Sequence, residues 1–265
     1  SLYGIEVKIK KTKSVWHPDV RLYEIFDKNK NLRGKFYFDL YARPNKRGGA
    51  WMDECIQRRL KSNGSVQAPV AFITCNSSPA TKTSPAFFTH YDVETLFHEF
   101  GHGLQHMLTK VDYAGISGIS GVEWDAVELP SQFMENWCWE KDVLDTFAFH
   151  FETNQKLPNK LFKKLLATKN YNTGMALLRQ IEFSLFDFLL HMSEEKQKTK
   201  LTETVLKNVR KETSLLAVHK NNKFQNSFAH IFSGGYAAGY YSYKWAEVLS
   251  ADAFMAFKEN KLVDR

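Results

Sequence analysis

Apolar and polar side chains alternate over residues 20–27 and again over 34–41, with Asn29, Asn31 and Gly34 between the runs, a pattern that predicts a β-hairpin. Residues 69–75 (Pro-Val-Ala-Phe-Ile-Thr-Cys) predict another strand, and the Ser/Thr/Pro-rich stretch 76–88 predicts a loop. The period then changes. Val93, Phe97, Phe100, Leu104 and Met107 follow helical spacing and predict a helix with one face on a core. Thr89 followed by Asp92 offers it a capping-box-like start, with further acid at Glu94. After about residue 125 the period is helical over 131–153, 158–169, 172–193, 202–217 and 241–259. Within 172–193, Leu177, Leu178, Ile181, Leu185, Phe188 and Leu189 are expected to face a core. No internal repeat stands out. The expected fold is mainly α with a small β-sheet, one region over 1–265 with a sheet-containing part at about 1–90 and a helical part at about 91–265.

The first of these helices carries candidate chemistry. In His98-Glu99-Phe100-Gly101-His102 the two imidazoles stand at i and i+4, one above the other, on a stripe separate from the apolar one. Imidazoles so placed can both meet a Zn²⁺ at about 2.0–2.1 Å, and the glutamate between them can reach a water on the metal. A bare H-E-x-x-H also turns up by chance in ordinary helices, so the pentad alone does not decide the matter. His106 cannot share an ion with His98, because eight residues of helix separate them by about 12 Å. No acid lies between His102 and His106, so His106 is expected to be a satisfied or surface imidazole. Gly101 and Gly103 each cost about 1 kcal/mol relative to Ala in a helix interior. Close approach of a neighbouring segment or of a substrate would explain that cost.

A catalytic zinc needs a third protein ligand. Phe133, Met134, Trp137 and Trp139 predict a buried helix that begins between Asp125 and Leu129, since Pro130 is best tolerated in a first turn. An acid at the buried entry of such a helix is costly unless paired or metal-bound. Glu123, Asp125, Glu128 and Glu135 all compete on chemistry alone, and the helix dipole would account for any single one of them.

The pentad, a gap of 25 residues and Glu128-Leu-Pro-Ser-Gln-Phe-Met-Glu-Asn-Trp, taken together, closely resemble the thimet oligopeptidase family. Asp92-Val-Glu-Thr-Leu-Phe before them and His230-Ile-Phe-Ser-Gly-Gly-Tyr-Ala-Ala-Gly-Tyr-Tyr-Ser-Tyr after them match as well, so the resemblance runs over nearly the whole chain. It implies a zincin-like metallopeptidase region acting on oligopeptides, with one Zn²⁺ per chain held by His98, His102 and Glu128 and with Glu99 as general base. It also implies catalytic roles for His230, Tyr240 and Tyr243, and substrate binding by Tyr236, Gly234 and Gly235. The chemistry suits these residue types. Three ligands leave a fourth position for water, which zinc would acidify while polarising the scissile carbonyl. A glutamate can take a proton from the attacking water and pass it to the leaving amine. Tyrosine hydroxyls and imidazoles can donate to the developing oxyanion. Tyr240 and Tyr243 would share a face if their segment is helical, and Gly234, Gly235 and Gly239 would let the preceding loop close. Without the motif, a Tyr-Tyr-Ser-Tyr run is often just packing.

Composition adds limits. With 265 residues and 43% hydrophobic content the chain can bury a real core. Members of the resembled family are longer, and this chain opens on Ser1 and closes on a charged stretch, so it is expected to be an excised catalytic fragment whose cleft the rest of the parent chain completes. The net charge of +7 (36 basic, 29 acidic) then describes the piece. Lys8, Lys10, Lys11 and Lys13 are expected to be a solvated strand face, and without an aromatic-interleaved basic stripe no nucleic-acid partner is expected. Cys55, Cys75 and Cys138 are odd in number and widely spaced, which argues against a disulfide framework and for a reducing, cytoplasmic setting, with an organelle left open. No apolar run approaches the ~20 residues that span a bilayer, so no membrane partner is expected. The 69–75 strand is the candidate edge for holding an extended peptide by strand addition. Two other readings stand beside this one: a non-catalytic module stabilised by zinc with a protein fourth ligand, and a basic nucleic-acid-binding fragment whose affinity would fall steeply with salt.

Overall fold

The alternating runs pair with each other. In the structure, a computed structural model that describes residues 3–193 and 200–259, β2 (Arg21–Phe26) and β3 (Leu32–Tyr41) form the expected antiparallel hairpin, with Tyr23 opposite Phe36. Outside it lies β1 (Glu6–Lys10), whose Lys8 and Lys10 are exposed and reach Glu6 and Glu24. On the other side β7 (Val70–Ser77) runs parallel to β3, and β4 (Trp51–Ile56) closes the sheet antiparallel to β7, giving the order β1-β2-β3-β7-β4. A small ribbon of β5 (Arg59–Leu60) and β6 (Val66–Gln67) stands apart from it. The strand expected at 69–75 is therefore present but is not an edge. Its nearly continuous apolar run, buried on both faces, is the signature of a central strand with a parallel neighbour. The open edge beside it is β4.

The described residues form two compact units, one of 3–123, 127–147 and 247–259, the other of 124–126, 148–193 and 200–246. The core of the first joins Ile25, Phe36, Ala71 and Ile73 of the sheet to Leu104, Met107, Met134, Trp137 and Phe254. Burying each such large side chain is worth roughly 1.5–3 kcal/mol. At its margin Asp39 is buried with Arg43, Lys46 and the Trp16 indole N–H bonded to its carboxylate, so the charge is compensated.

Helix α1 (His90–Met107) begins with the capping box read from Thr89 and Asp92: the Thr89 hydroxyl accepts from the Asp92 N–H, and the Asp92 carboxylate accepts from the Thr89 N–H. The glycines serve close approach. A Cβ at position 101 would lie 2.5 Å from the Pro130 carbonyl oxygen and 2.6 Å from Ser131 Cα; one at 103 would lie 2.9 Å from Ile73 Cδ1. The helix is thus pressed between α2 (Leu129–Glu135) on one side and the sheet on the other.

The single helix expected over 131–153 is broken. α2 ends at Glu135, a 3-10 turn covers Asn136–Trp139, and α3 (Lys141–Leu144) is one turn long. The Asn136 side-chain amide bonds the carbonyls of Gln132 and Phe133 and the Ser250 hydroxyl, replacing backbone donors that would continue the helix. Beyond it Phe147, Phe149 and Phe151 recur at every second residue, which is not a helical period, and Phe149 bridges Lys156 in antiparallel fashion.

The second unit contains α4 (Asn159–Thr168), α5 (Thr173–Met192), α6 (Leu201–Thr213) and the first residues of α7 (Ser242–Glu259). α6 stops at Thr213, four residues short of the expected 217, where Ser214 turns extended. α5 buries the expected face only in part, with Leu178, Leu185 and Phe188 half-buried. Leu177, Ile181 and Leu189 are 43%, 37% and 45% exposed, while Glu182, Phe186 and Asp187 are buried. Glu182 can be buried because Arg179 and Arg210 both donate to its Oε1. The core here is Phe186, Leu206, Phe228, Ile231 and Tyr240, with Phe183 stacked on Phe224 at 4.7 Å. Among the described residues no helix is long and apolar enough to cross a membrane.

Candidate functional site

In the first unit the approach of α1 and α2 at Gly101 gathers His98, His102 and Glu128. Glu128 sits at the N-cap of α2 yet makes no capping bond with its side chain; the carboxylate faces the two imidazoles instead. Its Oε2 is 3.2 Å from His98 Nε2 and 3.2 Å from His102 Nε2, and the Ser131 hydroxyl donates to it at 3.0 Å. Ligand atoms at about 2.05 Å from a tetrahedral ion stand about 3.3 Å apart, so this donor set, two nitrogens and one carboxylate oxygen, fits a zinc.

The outer contacts differ between the two histidines. Glu135, two turns beyond Glu128, accepts from His98 Nδ1–H at 2.6 Å, whereas His102 Nδ1 is buried with no hydrogen-bond partner among the described residues. With its Nδ1–H donated to Glu135, His98 would offer the Nε2 lone pair to a bound metal ion. Burial on its own would raise the Glu128 carboxyl, but hydrogen bonds with His102 and His98 outweigh it and hold the group well below the usual carboxylate range. Burial would lower the His98 imidazole, and its contacts with Glu128 and Glu135 instead raise it. Glu99 is 6% exposed and moves the other way: desolvation lifts its carboxyl above the ordinary value, against the pull of the two imidazoles and a backbone hydrogen bond from Met52 on β4.

His106 is fully buried rather than at the surface, with Nε2 3.0 Å from the Ile56 carbonyl oxygen. The other acids of the 123–140 block go elsewhere: Glu123 is exposed, and Asp125 accepts from the Tyr241 hydroxyl at 3.1 Å. Sequence reasoning weighed Glu135 only as a ligand and missed its place behind His98; the spacing of seven from Glu128, two turns on one face, was the available signal. It also missed β4, whose six residues show no clean alternation.

The second unit gathers the other predicted residues. The His230 ring lies 5.9, 5.8 and 6.3 Å from those of Tyr236, Tyr240 and Tyr243, and Tyr236 stacks on Tyr243 at 5.1 Å. Tyr240 precedes α7 and Tyr243 is its second residue, yet their rings still meet at 5.0 Å. The Tyr240 side chain is buried, its hydroxyl donating to Gln180 Oε1 at 3.2 Å. Gly234 and Gly235 shape the turn: a Cβ at 234 would strike the His230 backbone at 2.8 Å, and Gly235 has φ +88° beneath the Trp124 ring. All three cysteines are unbonded, and burial pushes the Cys75 thiol up to about 12.

Oligopeptidase A of Escherichia coli (strain K12) is 55% identical over 265 residues, all of this chain and 39% of that protein. Two Arabidopsis thaliana proteins, the chloroplastic/mitochondrial organellar oligopeptidase A and a probable cytosolic oligopeptidase A, are 48% and 47% identical over 269 aligned positions, again all of this chain but 34% and 38% of their own length. The chain thus spans between a third and two-fifths of these relatives. With the pattern of peptidase family M3 matched over residues 1–265, the chain belongs to that family.

Proposed function

We propose that this chain is the zinc-binding, zincin-like part of a metalloendopeptidase that hydrolyses short peptides. The observation that carries the reading is one carboxylate oxygen of Glu128 equidistant from two imidazole nitrogens, with the buried carboxyl of Glu99 in the same helix turn. When bound by His98, His102 and Glu128, Zn²⁺ would supply a Lewis acid that acidifies water and polarises the scissile carbonyl. Glu135 orients His98 through Nδ1. Glu99 takes the proton of the attacking water and returns it to the leaving nitrogen; its desolvated carboxyl, raised above the usual range, is the better base for being so. The open edge of β4, whose Met52 N–H already bonds Glu99, offers backbone groups to an extended peptide. By the family motif they match, His230, Tyr240 and Tyr243 act in catalysis, Tyr240 with its hydroxyl held by Gln180, and Tyr236 with Gly234 and Gly235 holds substrate. The rest of the parent protein completes the cleft, and the partners are oligopeptides rather than nucleic acid or membrane. Unbonded thiols and a relative named as cytosolic favour the cytoplasm, with an organelle the other choice.

The test is Glu99→Gln in the full-length protein. It should keep its zinc and lose cleavage of a quenched fluorescent peptide. Loss of the metal would make Glu99 a ligand, and retained cleavage would remove it as the base.

A further inference from the structure

Asp187 lies on the buried face of α5 and is 1% exposed, a position where a carboxylate is costly unless its oxygens are occupied. Its partners come chiefly from one short loop. Oδ1 accepts the Ala238 N–H at 2.8 Å, Oδ2 accepts the Tyr240 N–H at 2.9 Å, and His191 Nδ1, one turn along the helix, stands 2.8 Å from Oδ1. Two backbone N–H groups can converge on one carboxylate because Ala238 has φ +53°. That left-handed conformation crowds an alanine Cβ against its carbonyl, so an alanine adopts it only when something holds it there. Backbone N–H groups arranged around such a residue form a concave nest for an anion, and here the anion is a side chain of the same unit.

The loop is held on its other side by Trp124. A Cβ at Gly239 would lie 2.9 Å from the indole and one at Gly235 3.0 Å from it, and Tyr236 packs on the same ring at 5.0 Å. Gln180, two turns before Asp187 on α5, accepts the Tyr240 hydroxyl. α5 therefore offers Tyr240 polar groups at Gln180 and Asp187, on either side of Phe183, whose ring meets that of Tyr240 at 5.5 Å.

We propose that Asp187 is a positioning residue for peptide hydrolysis: by filling the nest at Ala238 and Tyr240 it fixes the loop that presents Tyr236, Tyr240 and Tyr243 to substrate. The inference rests on the proposed function, in which those tyrosines act on substrate. A group that only supported the core would alter melting without altering turnover per folded molecule, which is how the two are separated.

The experiment uses the full-length zinc-loaded protein with Asp187→Asn, which is isosteric but sets an amide N–H against a backbone N–H. A second variant, Ala238→Val, is at an exposed site and opposes the positive φ from the loop side without touching the core. Hydrogen exchange of residues 236–241, melting temperature, and kcat and KM on a quenched fluorescent peptide are measured for both, beside Tyr243→Phe. Exchange in 236–241 should rise in both variants. Since misplacing a catalytic group by about 1 Å costs on the order of 10²-fold, kcat should fall by about that factor with KM changed less than about threefold. Unchanged exchange in both variants overturns the proposal. So does raised exchange with normal kcat in a protein whose Tyr243→Phe variant is impaired. If Tyr243→Phe keeps full kcat, the catalytic reading of the tyrosines fails instead, and the anchoring by Asp187 stands or falls on the exchange alone.

Discussion

Gly101→Ala adds one methyl group at the point where α1 crosses α2. Its Cβ would lie 2.5 Å from the Pro130 carbonyl oxygen and 2.6 Å from Ser131 Cα, both backbone atoms that no rotamer change can withdraw. Ordinary carbon contacts begin near 3.5 Å, so the helices must part by roughly 1 Å. Two effects oppose each other. Alanine gains about 0.5–1 kcal/mol over glycine in a helix interior, while forced overpacking costs about 1–3 kcal/mol. The clash wins, with a net loss of about 1–2 kcal/mol and a fall in Tm of roughly 4 °C. Because Glu128 lies two residues before Pro130, the same shift draws its Oε2 away from Nε2 atoms now 3.2 Å distant. Zinc affinity, measured by competition with a chromogenic chelator, should drop about 10–100-fold, the range seen for disturbed support of metal ligands. Gly103→Ala is the control. It meets the end of the Ile73 side chain at 2.9 Å, which can rotate aside, so Tm should fall less and zinc affinity should stay within about threefold. A Gly101→Ala protein that melts higher and binds zinc as before would refute the reasoning.

Glu135→Gln should weaken zinc binding by about 10–100-fold in the same competition assay, through loss of the charged partner at His98 Nδ1; an unchanged affinity would show that His98 needs no outer support. For Asp39, burial would raise the carboxyl, but Arg43, Lys46 and Trp16 hold it well below the normal range. The folded value lies below the unfolded one of about 3.9, so its stabilisation is complete above about pH 4 and is lost as pH falls through the folded value. Asp39→Asn should therefore lower Tm at neutral pH, leaving Lys46 without its charge partner at a cost of about 3 kcal/mol, and should flatten the dependence of Tm on pH below about 4; a parallel acid profile would remove Asp39 as its source. Tyr243→Phe in the full-length protein should reduce kcat by about 10²–10³-fold with Tm nearly unchanged, and Tyr240→Phe, whose hydroxyl is already spent on Gln180, should show a smaller loss of kcat and some loss of stability, about 1 kcal/mol. Normal turnover with early melting in Tyr243→Phe would make that residue part of the core.

Local pattern alone determined a good deal of this protein. The 3.6-residue period and the Thr89/Asp92 box placed α1, and i, i+4 spacing put His98 and His102 on one face, because both depend only on backbone geometry within a few turns. Alternation placed the β2–β3 hairpin for the same reason. The family motif singled out Glu128 from four acids; local chemistry could not, since Glu123, Asp125, Glu128 and Glu135 differ only in what the fold sets against them. What tertiary structure decided was partnership. A strand run at 70–77 does not say which neighbours it has, and pairing with both β3 and β4 made it central and left β4 as the edge. The periodicity of α5 marked an amphipathic helix, but the face that found partners was the one where Arg179, Arg210 and two loop N–H groups could neutralise Glu182 and Asp187. The breaks after Glu135 and Thr213 followed from side chains that bond backbone or meet distant residues, such as Asn136 with Ser250. Spacing is written in the chain at short range, whereas burial is settled between segments well separated along it, and for this chain the shared face of His98 and His102 belongs to the first kind and their meeting with Glu128 to the second.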